Sequence, residues 1–182
     1  LFEALGTADS KYTSMFEEIM EEAMNENLVA DAAIAQSETD RKSMWRIRDS
    51  VDEWFRYGPV FIYDVSLGIR YMEKYVKDVK DRLKKQWPNH HCFTVGHIGD
   101  GNIHFAIHVG GDSEEEHAAV NNCVYEPLQP IGGSISAEHG IGTEKKAYLN
   151  LSRSKNEIEL MKKLKSALDP KGILNPSKIF AA

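Results

Sequence analysis

Between residues 95 and 105 the chain reads Val-Gly-His-Ile-Gly-Asp-Gly-Asn-Ile-His-Phe. His97 and His104 are the groups in this stretch best suited to ligate a metal or move a proton near neutral pH. Asp100-Gly101 suits a two-residue type I′ turn, because both central positions of that turn need positive φ. A turn there predicts Gly99 facing Asn102, Ile98 facing Ile103 and His97 facing His104. Directly opposed residues on one hairpin face have Cβ atoms roughly 5 Å apart. The spacing therefore predicts two imidazoles standing side by side, close enough to ligate one ion. A hairpin with two incidental histidines has the same pattern, so the rest of the ligand set has to decide.

The second cluster is Gly132-Gly133-Ser134-Ile135-Ser136-Ala137-Glu138-His139-Gly140-Ile141-Gly142. A glycine-rich run before a helix is able to cradle phosphate through its amides. This one lacks the Gly-Lys-Ser/Thr ending of a P-loop and the Gly-x-Gly-x-x-Gly of a dinucleotide site, so an ordinary loop is the better expectation. Glu138-His139 carries more chemistry. At the start of a glycine loop both side chains can be turned toward one cavity. A carboxylate from Glu138 joining His97 and His104 makes a two-His, one-carboxylate site with open positions for substrate. His139 is then a neighbouring base with a pKa suited to proton transfer.

These residues need a frame, and the rest of the chain predicts one. Leu1 to Gly6 reads as a short strand, and Ser10 to Asn27 as a helix with Tyr12, Phe16, Ile19, Met20, Ala23 and Met24 at helical spacing. Leu28 to Ala35 is β-compatible. Ser37 or Thr39 caps a helix ending near Gly58-Pro59, followed by a strand over 60–65. Ser66 is the expected cap of a long helix to Trp87, with Ile69, Met72, Tyr75, Val76, Val79 and Leu83 on one face. The hairpin occupies 91–110. Helices follow near 113–128, 143–149 and 154–168, and the tail ends in Asp-Pro and Asn-Pro turns. The Asp-Gly hairpin favours an antiparallel sheet with helices on one face, an α+β fold rather than a doubly wound parallel sheet.

The 182 residues carry 42% hydrophobic and 27% charged side chains, a soluble globular composition of one large domain or two small ones. A net charge of −6 argues against non-specific nucleic-acid binding. No apolar run approaches the ~20 residues of a membrane span, and no signal-peptide pattern opens the chain. A cytoplasmic protein is expected, with peripheral association to an inner membrane left open. Because residue 1 is Leu, a fragment of a longer protein is also expected. Cys92 and Cys123 lack metal or redox spacing and read as reduced, packed thiols. His90, His91, His108 and His117 read as surface or core residues, and Trp45, Trp54 and Tyr63 as packing residues. Lys145 and Lys146 read as solvated helix charges.

Three sets of residues, in this order along the chain, carry a family resemblance: His97-x-x-Gly-Asp-Gly-Asn-x-His104; Ser136-Ala137-Glu138-His139-Gly140-Ile141-Gly142 with Lys145; and Asp169-Pro170 with Ile173-Leu174-Asn175-Pro176-x-Lys178. They resemble the C-terminal domain of FAD-linked oxidases, in the branch containing D-lactate, glycolate and D-2-hydroxyglutarate dehydrogenases. Trp45-x-x-Arg48 and Tyr63-Asp64-Val65-Ser66-Leu67 resemble that branch too. The resemblance implies a ferredoxin-like, duplicated α+β cap over the FAD of a preceding domain, a small D-2-hydroxy acid substrate and a 2-oxo acid product. It implies His97, His104 and Glu138 as ligands of a divalent metal, zinc first, and His139 as the base for the substrate hydroxyl. It places Arg48 on the substrate carboxylate, Asn102 on the substrate or a ligand, and Asn175 at the flavin edge, with Glu138 and His139 also beside the cofactor. Asp100 is implied as a turn residue that orients a ligand histidine. The electron acceptor is not implied, and a homodimer is compatible with the resemblance.

The chain departs from the 2-hydroxyglutarate type at Ile62, which stands where that type resembles a carboxylate-binding lysine, and at Asp52, in place of a neutral hydroxyl residue. Ser177 replaces a glycine of the tail motif. Two other classes remain open on the residues alone. One is a free-standing metallohydrolase using the same triad with His139 as base, and the other is a non-enzymatic cap or interaction subunit.

Overall fold

The computed structural model describes Glu3 and residues 10–180, and the expected first strand over residues 1–6 lies outside the described residues apart from Glu3. The chain forms two compact units, Leu1–Glu53 and Trp54–Ala182. The first unit holds α1 (Ser10–Asn25) and α2 (Glu38–Asp49). Ser37 caps α2, its hydroxyl accepting the Asp40 amide at 3.1 Å. This helix stops at Asp49 rather than reaching Gly58: Ser50 keeps the last helical bond to the Arg46 carbonyl but turns out of the helical conformation at ψ 51°. A 3-10 stretch, Val51–Tyr57, follows. The β-compatible segment after α1 forms no strand. A strand needs a neighbour to pair with, and none runs beside Leu28 to Ala35 among the described residues.

The second unit carries the sheet. β1 (Phe61–Ser66), β2 (His91–His97) and β3 (Asn102–His108) form an antiparallel sheet in the order β1-β3-β2. α3 (Met72–Gln86) crosses from β1 to β2, and β3 lies between them. Ser66 does not cap α3. Its backbone is committed to a bridge with Ser134 (N–H to O 3.1 Å, with the return bond at 2.7 Å), and a 3-10 turn at Ile69–Tyr71 leads into the helix instead. α4 (Glu114–Tyr125) and α5 (Lys155–Leu168) each begin in a reciprocal capping box, Ser113 with Glu116 and Ser154 with Glu157. The helix expected near 143–149 is a 3-10 turn, Lys146–Leu151.

Alternation along the strands sorts the two faces of the sheet. Tyr63, Val65, Ile103, Phe105 and Ile107 are buried in one cluster with Tyr75, Val79 and Leu83 of α3 and Val120 and Val124 of α4. Two buried hydroxyls find partners across it: Tyr75 donates to the Val124 carbonyl and Tyr63 to Asn121 Oδ1, both at 2.7 Å. The α+β class is therefore as expected. Among the described residues the sheet has three strands, in place of the four-stranded, duplicated sheet that the ferredoxin-like expectation calls for. Asp64, Asn102, His104 and His97 lie on the opposite face, away from this core.

Candidate metal centre and general base

The hairpin register differs from the expectation by two residues. His97 pairs with Asn102 and Val95 with His104, because the turn is longer than a two-residue loop. Ile98–Asp100 form a 3-10 turn, and Gly101 alone takes the left-handed conformation at φ 72°. Asp100 Oδ1 accepts the Asn102 amide at 3.1 Å, so Asp100 is a turn residue with its own cap. A shift of one residue would have sent the histidines to opposite faces. A shift of two keeps them on one face as diagonal neighbours, with ring centroids 5.7 Å apart in an edge-on arrangement.

Glu138 completes the group. Its Oε1 lies 3.7 Å from His97 Nε2 and its Oε2 3.8 Å from His104 Nε2. The three ligand atoms all lie within 4.8 Å of one another. These distances exceed a hydrogen bond. They are close to the ~3.3 Å separation that follows from tetrahedral zinc with bonds near 2.0–2.1 Å. Asn102 Nδ2–H donates to Glu138 Oε1 at 2.6 Å, the kind of outer hydrogen bond that orients a ligating carboxylate. Asn102 is 2% exposed, and among the described residues its buried Oδ1 has no hydrogen-bond partner. Two imidazoles, one carboxylate and an oriented outer shell fit a borderline divalent ion such as zinc. His97 and Glu138 are exposed, so the triad opens to the surface.

The loop that delivers Glu138 is held by a residue to which the sequence reading assigned no role. Asp64 is fully buried on β1, paired across the sheet with His104. Its Oδ2 accepts the amides of Ala137, Glu138 and His139 at 2.8, 2.6 and 2.9 Å. Its Oδ1 meets the Lys145 ammonium and lies 3.2 Å from His139 Nδ1. Burial pushes this carboxyl up. The Lys145 hydrogen bond, the His139 and Glu138 amides and the Lys145 charge outweigh that and hold it at about 2. Lys145 is 7% exposed and also donates to Ser136 Oγ at 3.1 Å, so it is a buried partner and not a solvated charge. Lys146 does reach outward, to the Ser177 carbonyl. One signal for Asp64 was present in the sequence: a lone carboxylate in the apolar strand Phe61-Ile62-Tyr63-Asp64-Val65 is almost never buried without a partner.

A single family covers nearly the whole chain. Residues 2–179 match the C-terminal domain of FAD linked oxidases. The chain belongs to this family. Relatives include the D-2-hydroxyglutarate dehydrogenase of Stutzerimonas stutzeri, 36% identical over 167 residues, or 89% of this chain and 36% of that protein. That of Xanthomonas citri is 38% identical over 166 residues, covering 88% and 35%. The mitochondrial D-2-hydroxyglutarate dehydrogenase of Rattus norvegicus is 35% identical over 183 residues, covering 100% and 34%. This FAD-linked oxidase domain thus spans about a third of the length of these relatives.

The remaining expected site residues of the oxidase domain are placed as follows. Arg48 is exposed on α2 in the first unit, 3.1 Å from Asp49 and over the Trp45 ring at 5.8 Å. Its ion-pair partner is the adjacent Asp49. Asn175 is exposed in the tail at φ 46°. The tail returns to the glycine loop, where the Ile179 amide donates to the Gly142 carbonyl at 2.8 Å. The other histidines pack as expected. His108 is buried with Nδ1 at 3.0 Å from the Pro59 carbonyl, His117 stacks on Phe61, His91 meets Tyr57, and His90 lies 2.8 Å from the Trp87 carbonyl. Both cysteines are free, and burial pushes both thiols up. No helix among the described residues is long and apolar enough to cross a membrane.

Proposed function

We propose that this chain is the substrate-side domain of a flavin-dependent 2-hydroxy acid dehydrogenase, oxidising a D-2-hydroxy acid to a 2-oxo acid. One observation carries this reading: His97, His104 and Glu138 converge within 4.8 Å beside His139, on the sheet face turned away from the core. When bound, FAD from a preceding domain supplies the hydride acceptor, and a divalent ion at the triad supplies Lewis acidity and a fixed orientation for the substrate oxygens. His97, His104 and Glu138 hold that ion, with Asn102 steadying Glu138. His139 Nδ1 lies 3.2 Å from the Asp64 carboxylate, which favours the hydrogen on Nδ1 and leaves Nε2 to take the hydroxyl proton as the substrate carbon is oxidised. Arg48 binds the substrate carboxylate and Asn175 meets the flavin edge.

We further take the sheet as one half of a duplicated ferredoxin-like cap. The β1-α3-β2-β3-α4 order with β3 central supports this, as does the Ser66–Ser134 bridge at the edge of β1 where a fourth strand would pair. The test uses the full-length protein with its flavin domain, mixed anaerobically with D- and L-2-hydroxy acids. Bleaching of the flavin by a D-2-hydroxy acid is expected. His139→Ala abolishes bleaching and keeps the metal, whereas His97→Ala loses the metal. Equal metal loss in both variants overturns the assignment of roles. Failure of every 2-hydroxy acid to reduce the flavin overturns the dehydrogenase reading, and metal-dependent hydrolysis by the isolated chain would replace it.

A further inference from the structure

We infer that Asp64, backed by Lys145, is the positioning residue of this site: one buried carboxylate sets both where Glu138 enters the triad and which nitrogen His139 presents to the substrate. The inference rests on the assignment of His139 as the base. The two carboxylate oxygens divide the work. Oδ2 gathers three successive amides, from Ala137 to His139, which curls the loop around a fixed point on β1. That point is paired across the sheet with His104, so the loop is pinned beside a ligand of the triad and Glu138 faces both histidines. Oδ1 lies 3.2 Å from His139 Nδ1. A carboxylate at that distance repels a lone pair and attracts an N–H, so it favours the tautomer with the hydrogen on Nδ1, which leaves Nε2 with its lone pair. A buried carboxylate fixes the tautomer of a catalytic histidine in serine proteases by the same logic. Lys145 and Ser136 complete the shell: Lys145 meets Oδ1, and the Ser136 hydroxyl lies 3.3 Å from Oδ2. The sequence Ser136-x-x-His139 with Lys145 is thus an anchor for Asp64 as well as a carrier of the ligand and the base.

A residue that merely held the loop would leave the tautomer of His139 alone, and this separates the two roles. In Asp64→Asn one oxygen remains to accept the amides, but the second position becomes an NH2 that cannot accept from Nδ1. The 182-residue chain, labelled with ¹⁵N and studied free of metal at pH 8, is expected to show His139 as a single Nδ1–H tautomer. The Asn variant is expected to shift it to a mixture dominated by Nε2–H, with zinc affinity kept within a few-fold. In Asp64→Ala both supports are lost, and zinc affinity falls on the order of 10–100-fold, the usual effect of removing an outer-shell partner. In the full-length protein Asp64→Asn lowers the rate of flavin reduction on the order of 10²–10⁴-fold with a smaller change in KM, while Asp64→Glu recovers part of it. An unchanged His139 tautomer in Asp64→Asn, or unchanged zinc affinity in Asp64→Ala, overturns the inference. If His139→Ala leaves flavin reduction intact while the tautomer still follows Asp64, the proposed function fails and the positioning role stands.

Discussion

Asp64 shows how much of this site hangs on one residue kept from water. A buried carboxylate survives only when its charge is matched, and here the amides of the 137–139 loop and Lys145 match it. Its folded value of about 2 lies below the ordinary 3.8, so its contribution to stability has a definite sign. That contribution is complete above about pH 4 and is lost as the pH falls toward 2, and a shift of this size corresponds to about 2 kcal/mol. Urea unfolding at pH 5 and pH 2.5 is expected to show a larger loss of stability in the wild-type chain than in Asp64→Asn. Parallel losses in the two proteins would mean that Asp64 titrates alike in the folded and unfolded states. At this scale the convergence of residues with rare chemistry was legible in the sequence, His97 and His104 with Glu138, and Asn102 and His139 beside them. A residue's role was not legible where the partner is supplied only by tertiary structure. Lys145 looks like any surface lysine until Asp64 is found beneath it.

Elements bring those residues together by register, and the hairpin shows what local preference settles. Asp100-Gly101 correctly marked the place of the turn and the positive φ at Gly101. It did not reveal the loop length, because a tertiary bond decides that: the Leu67 amide, just past β1, donates to the Gly101 carbonyl at 3.0 Å. The turn is thereby tied to a third segment, and Ile98–Asp100 fold into a 3-10 turn to reach it. Because the resulting shift is an even number of residues, both histidines stay on the site face. The same tie makes Gly101 sensitive. A Cβ there would stand 1.9 Å from the Leu67 oxygen, in a backbone conformation that L side chains resist. Gly101→Ala is expected to cost about 1–3 kcal/mol, read as a lower denaturant midpoint with an unchanged m-value. It should weaken zinc binding as well, since His97 and Asn102 flank the turn. A stable variant with full zinc affinity would show that the hairpin end is looser than its packing indicates. Helix ends were easier to foresee, because a capping box is a local exchange between Ser113 and Glu116 or Ser154 and Glu157. Ser66 misled for the opposite reason, being a good cap whose backbone is already bound to Ser134.

In the whole molecule, core and site share one stretch of chain. Every buried hydrophobic residue among those described lies between Phe61 and Leu149, inside the unit that begins at Trp54. The ligand triad, His139, Asn102, Asp64 and Lys145 all fall in the same span. The first unit has no buried residue on α2, and the exposed side chains of α1 include Tyr12, Met15 and Ile19. Packing of the sheet against α3 and α4 is therefore the source of the rigidity that the triad needs, with the amphipathic stripe Tyr75, Val79 and Leu83 as its main contact. A chain of residues 54–182 is expected to unfold cooperatively and to bind one zinc with the affinity of the 182-residue chain. An ion that binds only the folded state stabilises it by about 2.7 kcal/mol at one hundred times its dissociation constant. The two chains should therefore gain the same stabilisation from excess zinc in thermal melts, and His97→Ala should erase the gain in both. A 54–182 chain that melts without cooperativity would make the first unit part of the folding unit. One that folds but binds zinc more weakly would give the first unit a share in the site. Neither is expected, because Arg48, the expected site residue that this truncation removes, would act on substrate and not on the ion.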